Sequence, residues 1–527
     1  MNSSARVAIS KRLVAINAAG GIVARVLDLG VFLWLNRYLL RRISAEEYAL
    51  YPITLSVLVF LPLLSVIFSS GLERFSVQAY AQGDERRVTQ IVSTMLPLHI
   101  GVSLLVLAAG GGLAWQIGNL LNIPLHRLGE ARLMLILMTG ASACSVALAP
   151  LQIGIHVRQR FVLGHTITLA AQAMRIALLF ALLLGLGPRV IWVAVAAAAS
   201  HVCHALATAA VSCAILPPLR FRLSEFRRHL IRQLLCFGGW VLVGELGTML
   251  RKSMDPIILN KLATPLDVTC FHLGGTPIRY MDQMLHGVHR ALAPQVTAMH
   301  AKGDDDRLRN TYLRLARYDL WLSLALSLPL AVFSNELIAL WIGSGFSPAA
   351  FVMALMLIMS VSRYGHAATG LVAVARNRLR KLTILGGILE LLNLGLTLYF
   401  VGMLKLGAAG SALGTFVAVM VIKPLLLWPV SLRLVKLTFR RWLHEAFLPG
   451  AIPGLLGAAV WVTVRVLFRP EGLVGIGAGM AAGACVYLGV LLTFCLTRSD
   501  AADLRRMVGV LRTLVRTAMG ARFRSRP

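Results

Sequence analysis

Residues 81–86, Ala-Gln-Gly-Asp-Glu-Arg, return 220 residues later as residues 301–307, Ala-Lys-Gly-Asp-Asp-Asp-Arg. Each copy follows one apolar span and precedes another, so what repeats is a length of membrane-crossing chain. Working outward in windows of about twenty residues gives about fourteen spans, centred near residues 25, 59, 101, 143, 174, 202, 248, 281, 330, 361, 393, 420, 457 and 484. Six spans separate the copies, and an even number returns the chain to the same orientation. The expected fold is therefore all-α and polytopic. Two six-helix lobes, residues 1–219 and 220–435, form a parallel repeat about an axis along the membrane normal. Two extra helices follow over residues 436–497, then a tail over residues 498–527. In the extra pair Gly475, Gly477, Gly479 and Gly483 provide the small-residue spacing that lets helices approach closely.

Composition sets the solvent. Of 527 residues 57% are hydrophobic and only 14% charged, with a mean hydropathy of +0.75, outside the range of soluble domains. The formal charge of +30 could suggest nucleic acid, but the Lys and Arg residues cluster in short loops between spans and favour one side. That is the positive-inside pattern with both termini cytoplasmic, and no nucleic-acid partner is expected. The seven cysteines stand singly, mostly within apolar runs, and read as small core residues. In the tail, Leu504, Leu511, Leu514 and Val515 alternate with Arg505, Arg506, Arg512 and Arg516, a helix drawn to anionic inner-leaflet lipids.

Several spans carry charges near their middle. A charge at the bilayer centre costs roughly 2.5–3.5 kcal/mol on insertion scales, so these faces must meet protein or water. The first span holds Arg25 and Asp28, three residues apart and on one face. The repeat offset places Glu245 opposite Arg25, in a span that also carries Arg251, Lys252 and Asp255. The eighth span carries a stripe of Arg279, Asp282, His286 and Arg290. Arg175, Arg363 and Glu390 are central in other spans, while Lys423 lies nearer an end. Cations slightly outnumber carboxylates. The expected cavity is net cationic and suited to an anionic group, because guanidinium forks match phosphate oxygens. The candidate substrate-binding residues are Arg25, Arg175, Arg251, Lys252, Arg279, Arg290 and Arg363. Asp28, Glu245, Asp255, Asp282 and Glu390 are candidates for charge pairing or ion coupling.

The pairs His201/His204 and His286/His289 could begin a metal site but lack a third ligand, so no metal is expected. Phosphate-binding loops, nucleotide fingerprints and nucleophile motifs are missing from the sequence, and no loop is long enough for a catalytic domain. The chain is read as a non-enzyme without cofactors.

Three stretches resemble the polysaccharide transporter branch of the multidrug/oligosaccharidyl-lipid/polysaccharide exporter superfamily, which includes O-antigen (Wzx-like) flippases. They are Arg41-Arg42-Ile43-Ser44-Ala45-Glu46-Glu47-Tyr48-Ala49-Leu50-Tyr51, Gly71-Leu72-Glu73-Arg74-Phe75 through Gly83-Asp84, and Ala293-Pro294-Gln295 through Gly303-Asp304. Where members often have a Gly-x-Tyr turn, this chain has Val268-Thr269-Cys270-Phe271. The resemblance implies two lobes around a central cavity in the bacterial inner membrane. Alternating access there moves a polyprenyl-pyrophosphate-linked oligosaccharide outward, and glycan-assembly proteins such as a polymerase are its expected partners. A cation-coupled multidrug exporter of the same superfamily, or a scaffold for glycan-assembly enzymes, are the alternatives.

Overall fold

The computed structural model describes residues 29–61, 63–158, 160–228, 230–231, 253–301, 303–376, 378–497 and 500–501, with 242, 247 and 249 besides. Arg25, Asp28, Glu245, Arg251, Lys252 and the tail from residue 502 lie outside the described residues, as does the side chain of Arg290. Among the described residues every regular element is helical, as the apolar spans require, and the chain is a polytopic all-α membrane protein. It divides into two compact units, one running through Ser253 and the other from Met254.

In the first unit, α1 (Leu29–Leu40) is followed by α2 (Ala45–Leu58), whose Ser44 hydroxyl caps it by accepting from the Glu47 N–H. The Tyr48 hydroxyl donates to Asn36 Oδ1 at 2.5 Å, tying α2 back to α1. The span expected around residue 59 is in fact two helices, α2 and α3 (Leu63–Ala81). The chain turns at residues 59–61, just before Pro62, whose ring disfavours helical geometry in the residue ahead of it. Four long helices follow: α4 (Glu85–Leu120), α5 (Leu125–Val157), α6 (Val162–Gly185) and α7 (Ile191–Ile215). The middle of the unit is α5, packed along α4 on one side and α7 on the other.

The second unit starts with α8 (253–262), then α9 (Pro265–Gly274), opened by a reciprocal capping box between Thr264 and Asp267. Val268-Thr269-Cys270-Phe271 sit within α9 and are buried. After one turn residue comes α10 (Thr276–Ala301), so the span expected near residue 281 is bent rather than continuous. The unit continues with α11 (Asp305–Val332), α12 (Ser334–Trp341), α13 (Ser344–Tyr364) and α14 (Thr369–Ala375). Next are α15 (Leu379–Met403), α16 (Gly407–Leu426), α17 (Trp428–Val435), α18 (Phe439–Phe468) and α19 (Gly472–Cys495). Four of these helices carry π turns, at Leu398–Met403, Ala418–Ile422, Leu443–Phe447 and Leu491–Cys495.

The repeat that organises the sequence has the same geometry in both units. Gly83 and Gly303 take φ of +77° and +71°, a left-handed turn that only glycine adopts without penalty. Asp84 and Asp304 then cap α4 and α11, accepting from the Arg87 and Arg307 N–H groups at 2.8 and 3.0 Å. Beneath the turn, Val88 and Leu308, at the repeat offset, are both buried. Each begins a core: Val88, Ile91, Val92 and Met95 pack with Leu216 and Leu219, and Leu308, Tyr312 and Leu313 with Leu432 and Trp442. The segment after α7 docks on the start of α4, with Thr89 and Ser93 donating to the Pro218 and Arg220 carbonyls. Glu225 there takes Gln90 and Arg86 at 2.9 Å, which hold its carboxyl below the usual value.

The two extra helices belong to the second unit, α18 packing on α11 and α19 on α18. Of the glycines expected to allow close approach, Gly483 faces the Trp461 indole, where an added methyl would overlap the ring, and Gly479 faces Val464 and Phe333. Gly477 faces open space. Gly483→Ala should therefore lower stability by about 1–3 kcal/mol through overpacking, while Gly477→Ala, inside the same helix with nothing for the methyl to meet, should raise it by up to about 1 kcal/mol. Thermal unfolding of the two variants in detergent separates these outcomes.

Candidate functional site

The polar face of α10 meets the end of α13. Asp282 accepts from Arg363 through Nε at 2.9 Å and Nη2 at 2.5 Å, and from the Tyr364 hydroxyl at 2.6 Å. This two-pronged geometry is what a planar guanidinium makes with a carboxylate. Lys423, at the end of a π turn, donates to the Arg363 carbonyl at 3.1 Å, a cation placed at a helix C-terminus as the dipole favours. Two candidates from different spans, one assigned to substrate and one to charge pairing, are thus partners, and the pair is close to neutral. Arg279 stands one turn before Asp282. Its Nη2 donates to the His272 carbonyl and the Thr276 hydroxyl, both at 2.5 Å, which folds the side chain back across the bend between α9 and α10 while leaving it exposed.

A second group forms where α8 meets α15 and α16. Buried Asp255 accepts from Ser411 at 2.8 Å and from Thr397 at 3.2 Å. Glu390, Asn393 and Thr397 follow 3-4 spacing, so one face of α15 lines this group. Glu390 is within electrostatic reach of Asp255, and the buried Asn393 Oδ1 has no hydrogen-bond partner. The cluster offers a carboxylate, an amide oxygen and hydroxyls, hard oxygen donors suited to a small cation or a proton.

In the first unit Arg175 is half-buried on α6. Three further clusters join residues from different parts of the chain. His289 Nε2 lies 2.8 Å from Asp319 Oδ2, both buried, between α10 and α11. Arg317 holds Asp500 through two bonds of 2.9 Å. Glu47 accepts from the Val190 N–H at 3.0 Å and from Arg127 at 2.9 Å; Arg127 and Arg189 both reach Glu130, whose carboxylate holds the Arg189 guanidinium further toward its protonated form. Glu47 belongs to the Arg41–Tyr51 stretch that carries the family resemblance, and that was its only signal. The partners are too far apart in sequence for any spacing rule. Among the described residues no three His, Cys, Asp or Glu side chains converge where a metal could sit.

A family described as "Polysaccharide biosynthesis protein" matches residues 39–351, more than half of the chain. The chain belongs to this family. Within the polysaccharide biosynthesis proteins it is 22% identical over 354 residues to the uncharacterized membrane protein EpsK of Bacillus subtilis (strain 168), spanning 66% of this chain and 69% of that one. Its fold is similar to that of the lipid II flippase MurJ in an inward closed conformation, with a TM-score of 0.61 at 14% identity, covering 90% of this chain and 97% of that chain. It is equally similar to an inward-facing multidrug resistance transporter of the MATE family, with a TM-score of 0.61 at 14% identity over 77% of this chain and 94% of that one. Family membership and fold together place this polysaccharide biosynthesis protein in the superfamily that the sequence resembles.

Proposed function

We propose that the chain is a flippase that carries a polyprenyl-pyrophosphate-linked oligosaccharide from the cytoplasmic to the periplasmic leaflet of the bacterial inner membrane by alternating access. The observation that carries this reading is membership of a polysaccharide biosynthesis family by a chain whose described residues form membrane helices and short connections, with a fold shared by transporters. With its described residues given to membrane helices and short connections, moving the substrate is the contribution this reading assigns to it. In this reading Arg25, Arg251 and Arg279 grip the pyrophosphate, helped by Arg175, Lys252 and Arg290, because multiple guanidinium forks are needed to replace the water around so dense a charge. Arg363, held by Asp282, positions this group. Asp28 and Glu245 orient the cations, and Asp255 with Glu390 takes the coupling ion. The basic tail rests on anionic lipid.

Arg25→Ala and Arg279→Ala are each expected to abolish glycan export while the protein remains in the membrane at the normal level. Export assayed by surface glycan staining, with membrane protein quantified by immunoblot, is the test, and full export in both variants overturns the assignment. Resistance to cationic dyes on overexpression, with no change in glycan, would instead make the chain a drug exporter.

A further inference from the structure

Helix α6 has a mean hydropathy of 2.0, yet His165, Thr168, Gln172 and Arg175 follow one another on it at 3-4-3 spacing and so share a face. Leu179 and Leu183 continue that face and are 4% and 0% exposed. His165 and Thr168, about three to five turns earlier, are exposed, and Gln172 and Arg175 half-buried. The same face is therefore closed at one end and open at the other. On α7 a matching stripe of His201, His204 and Thr208 runs alongside, joined to the first where the Thr168 hydroxyl lies 3.3 Å from His204 Nε2. The Thr208 Oγ1 is buried without a hydrogen-bond partner.

We infer that this polar seam along α6 and α7 is the lane that holds the saccharide part of the substrate, an inference that rests on the flippase reading above. Acyl or prenyl chains could not satisfy a run of hydroxyl, amide and imidazole groups, each costly to leave unpaired in an apolar setting. Pyrophosphate accepts hydrogen bonds but donates none at neutral pH, so it has no use for the acceptor atoms of Gln172 or the threonines. Sugar hydroxyls donate and accept at once, which is what a stripe of Thr and Gln offers in return. From His165 to Arg175 the stripe runs about 15 Å at 1.5 Å per residue, the reach of a short oligosaccharide rather than of one sugar. Arg175, toward the buried end of the stripe, supplies a guanidinium that turns the anionic end of the ligand that way.

The test compares two probes on the purified full chain in nanodiscs: undecaprenyl pyrophosphate, and the same lipid bearing a short N-acetylglucosamine oligosaccharide. The wild type should bind the sugar-bearing lipid about tenfold more tightly, the worth of one or two net hydrogen bonds. In Thr168→Val/Gln172→Leu, apolar and near-isosteric changes compatible with a membrane helix, that preference should vanish while affinity for the bare lipid stays as in the wild type. Thr168→Val alone should lose part of it, which guards against a folding defect in the pair. A sugar preference that survives in the variants, or is missing from the wild type, overturns the lane. Failure of the wild type to bind either lipid overturns the flippase reading itself.

Discussion

Asp282→Ala is expected to strand the Arg363 guanidinium and the Tyr364 hydroxyl, both of which point at the missing carboxylate. Losing one partner of a buried ion pair costs about 3–5 kcal/mol. The Asp282 and Arg363 side chains remain 22% and 24% exposed, so about 2–3 kcal/mol is the expected loss here, seen as a lowered unfolding midpoint in detergent. The double variant Asp282→Ala/Arg363→Met should recover most of that stability, because no unpaired charge is left. It should not recover export, since the anchored carbonyl that receives Lys423 is no longer held in place. Single variants as stable as the wild type would show that the pair carries no structural role.

Asp500→Ala should be the most damaging change in the second unit. Asp500 is fully buried and Arg317 nearly so, their side chains 0% and 8% exposed. Besides Arg317, the Tyr318 hydroxyl donates to Asp500 at 2.7 Å and the Thr497 hydroxyl at 2.6 Å, and Arg317 also donates to the Glu445 carbonyl at 2.5 Å. The expected loss is about 3–5 kcal/mol, measured by thermal unfolding, with Arg317→Met/Asp500→Leu restoring most of it. Burial pushes the Asp500 carboxyl up, but hydrogen bonds from Thr497, Tyr318 and Arg317 outweigh it and hold the group below its usual range. A carboxylate depressed in the folded state stabilises above its unfolded pKa, and that contribution fades as pH falls through the folded value. The Asp500→Ala deficit should accordingly be full at neutral pH and shrink only in acid.

The fold was legible wherever apolar length alone decides it. Among the described residues, ten helices long and apolar enough to cross a membrane overlap the third to sixth and ninth to fourteenth expected spans, though the ninth, centred near residue 330, runs past the end of α11 at Val332 into α12. The bend at residues 59–61 and the division between α9 and α10 were not foreseen, since a window average hides the turn residues within it. The Gly-Asp turn was readable because it is local: a left-handed glycine and a capping aspartate act within six residues. The pairing of Asp282 with Arg363 spans 81 residues, and that of Glu47 with Val190 spans 143. Helical spacing identified which face each charge occupied but not which face it would meet. His289 stood out only as half of a possible metal pair, and its partner Asp319 lies 30 residues away, beyond any spacing rule.

The π turn at Ala418–Ile422 holds one residue more than an α turn would, and its surroundings are built for that surplus. Val419 presents its carbonyl to the Ser362 hydroxyl at 2.7 Å, and Lys423 arrives one step later at the carbonyl of Arg363. Each residue of an α-helix advances the next by about 100°. Deleting a single residue within 418–422 would therefore swing Lys423, and every side chain after it on α16, through that angle and away from α13. The azimuth of the last turn of α16 is set by one inserted residue, so a change in length at this point, with composition and apolar character untouched, would disarm the charged group as surely as removing the lysine.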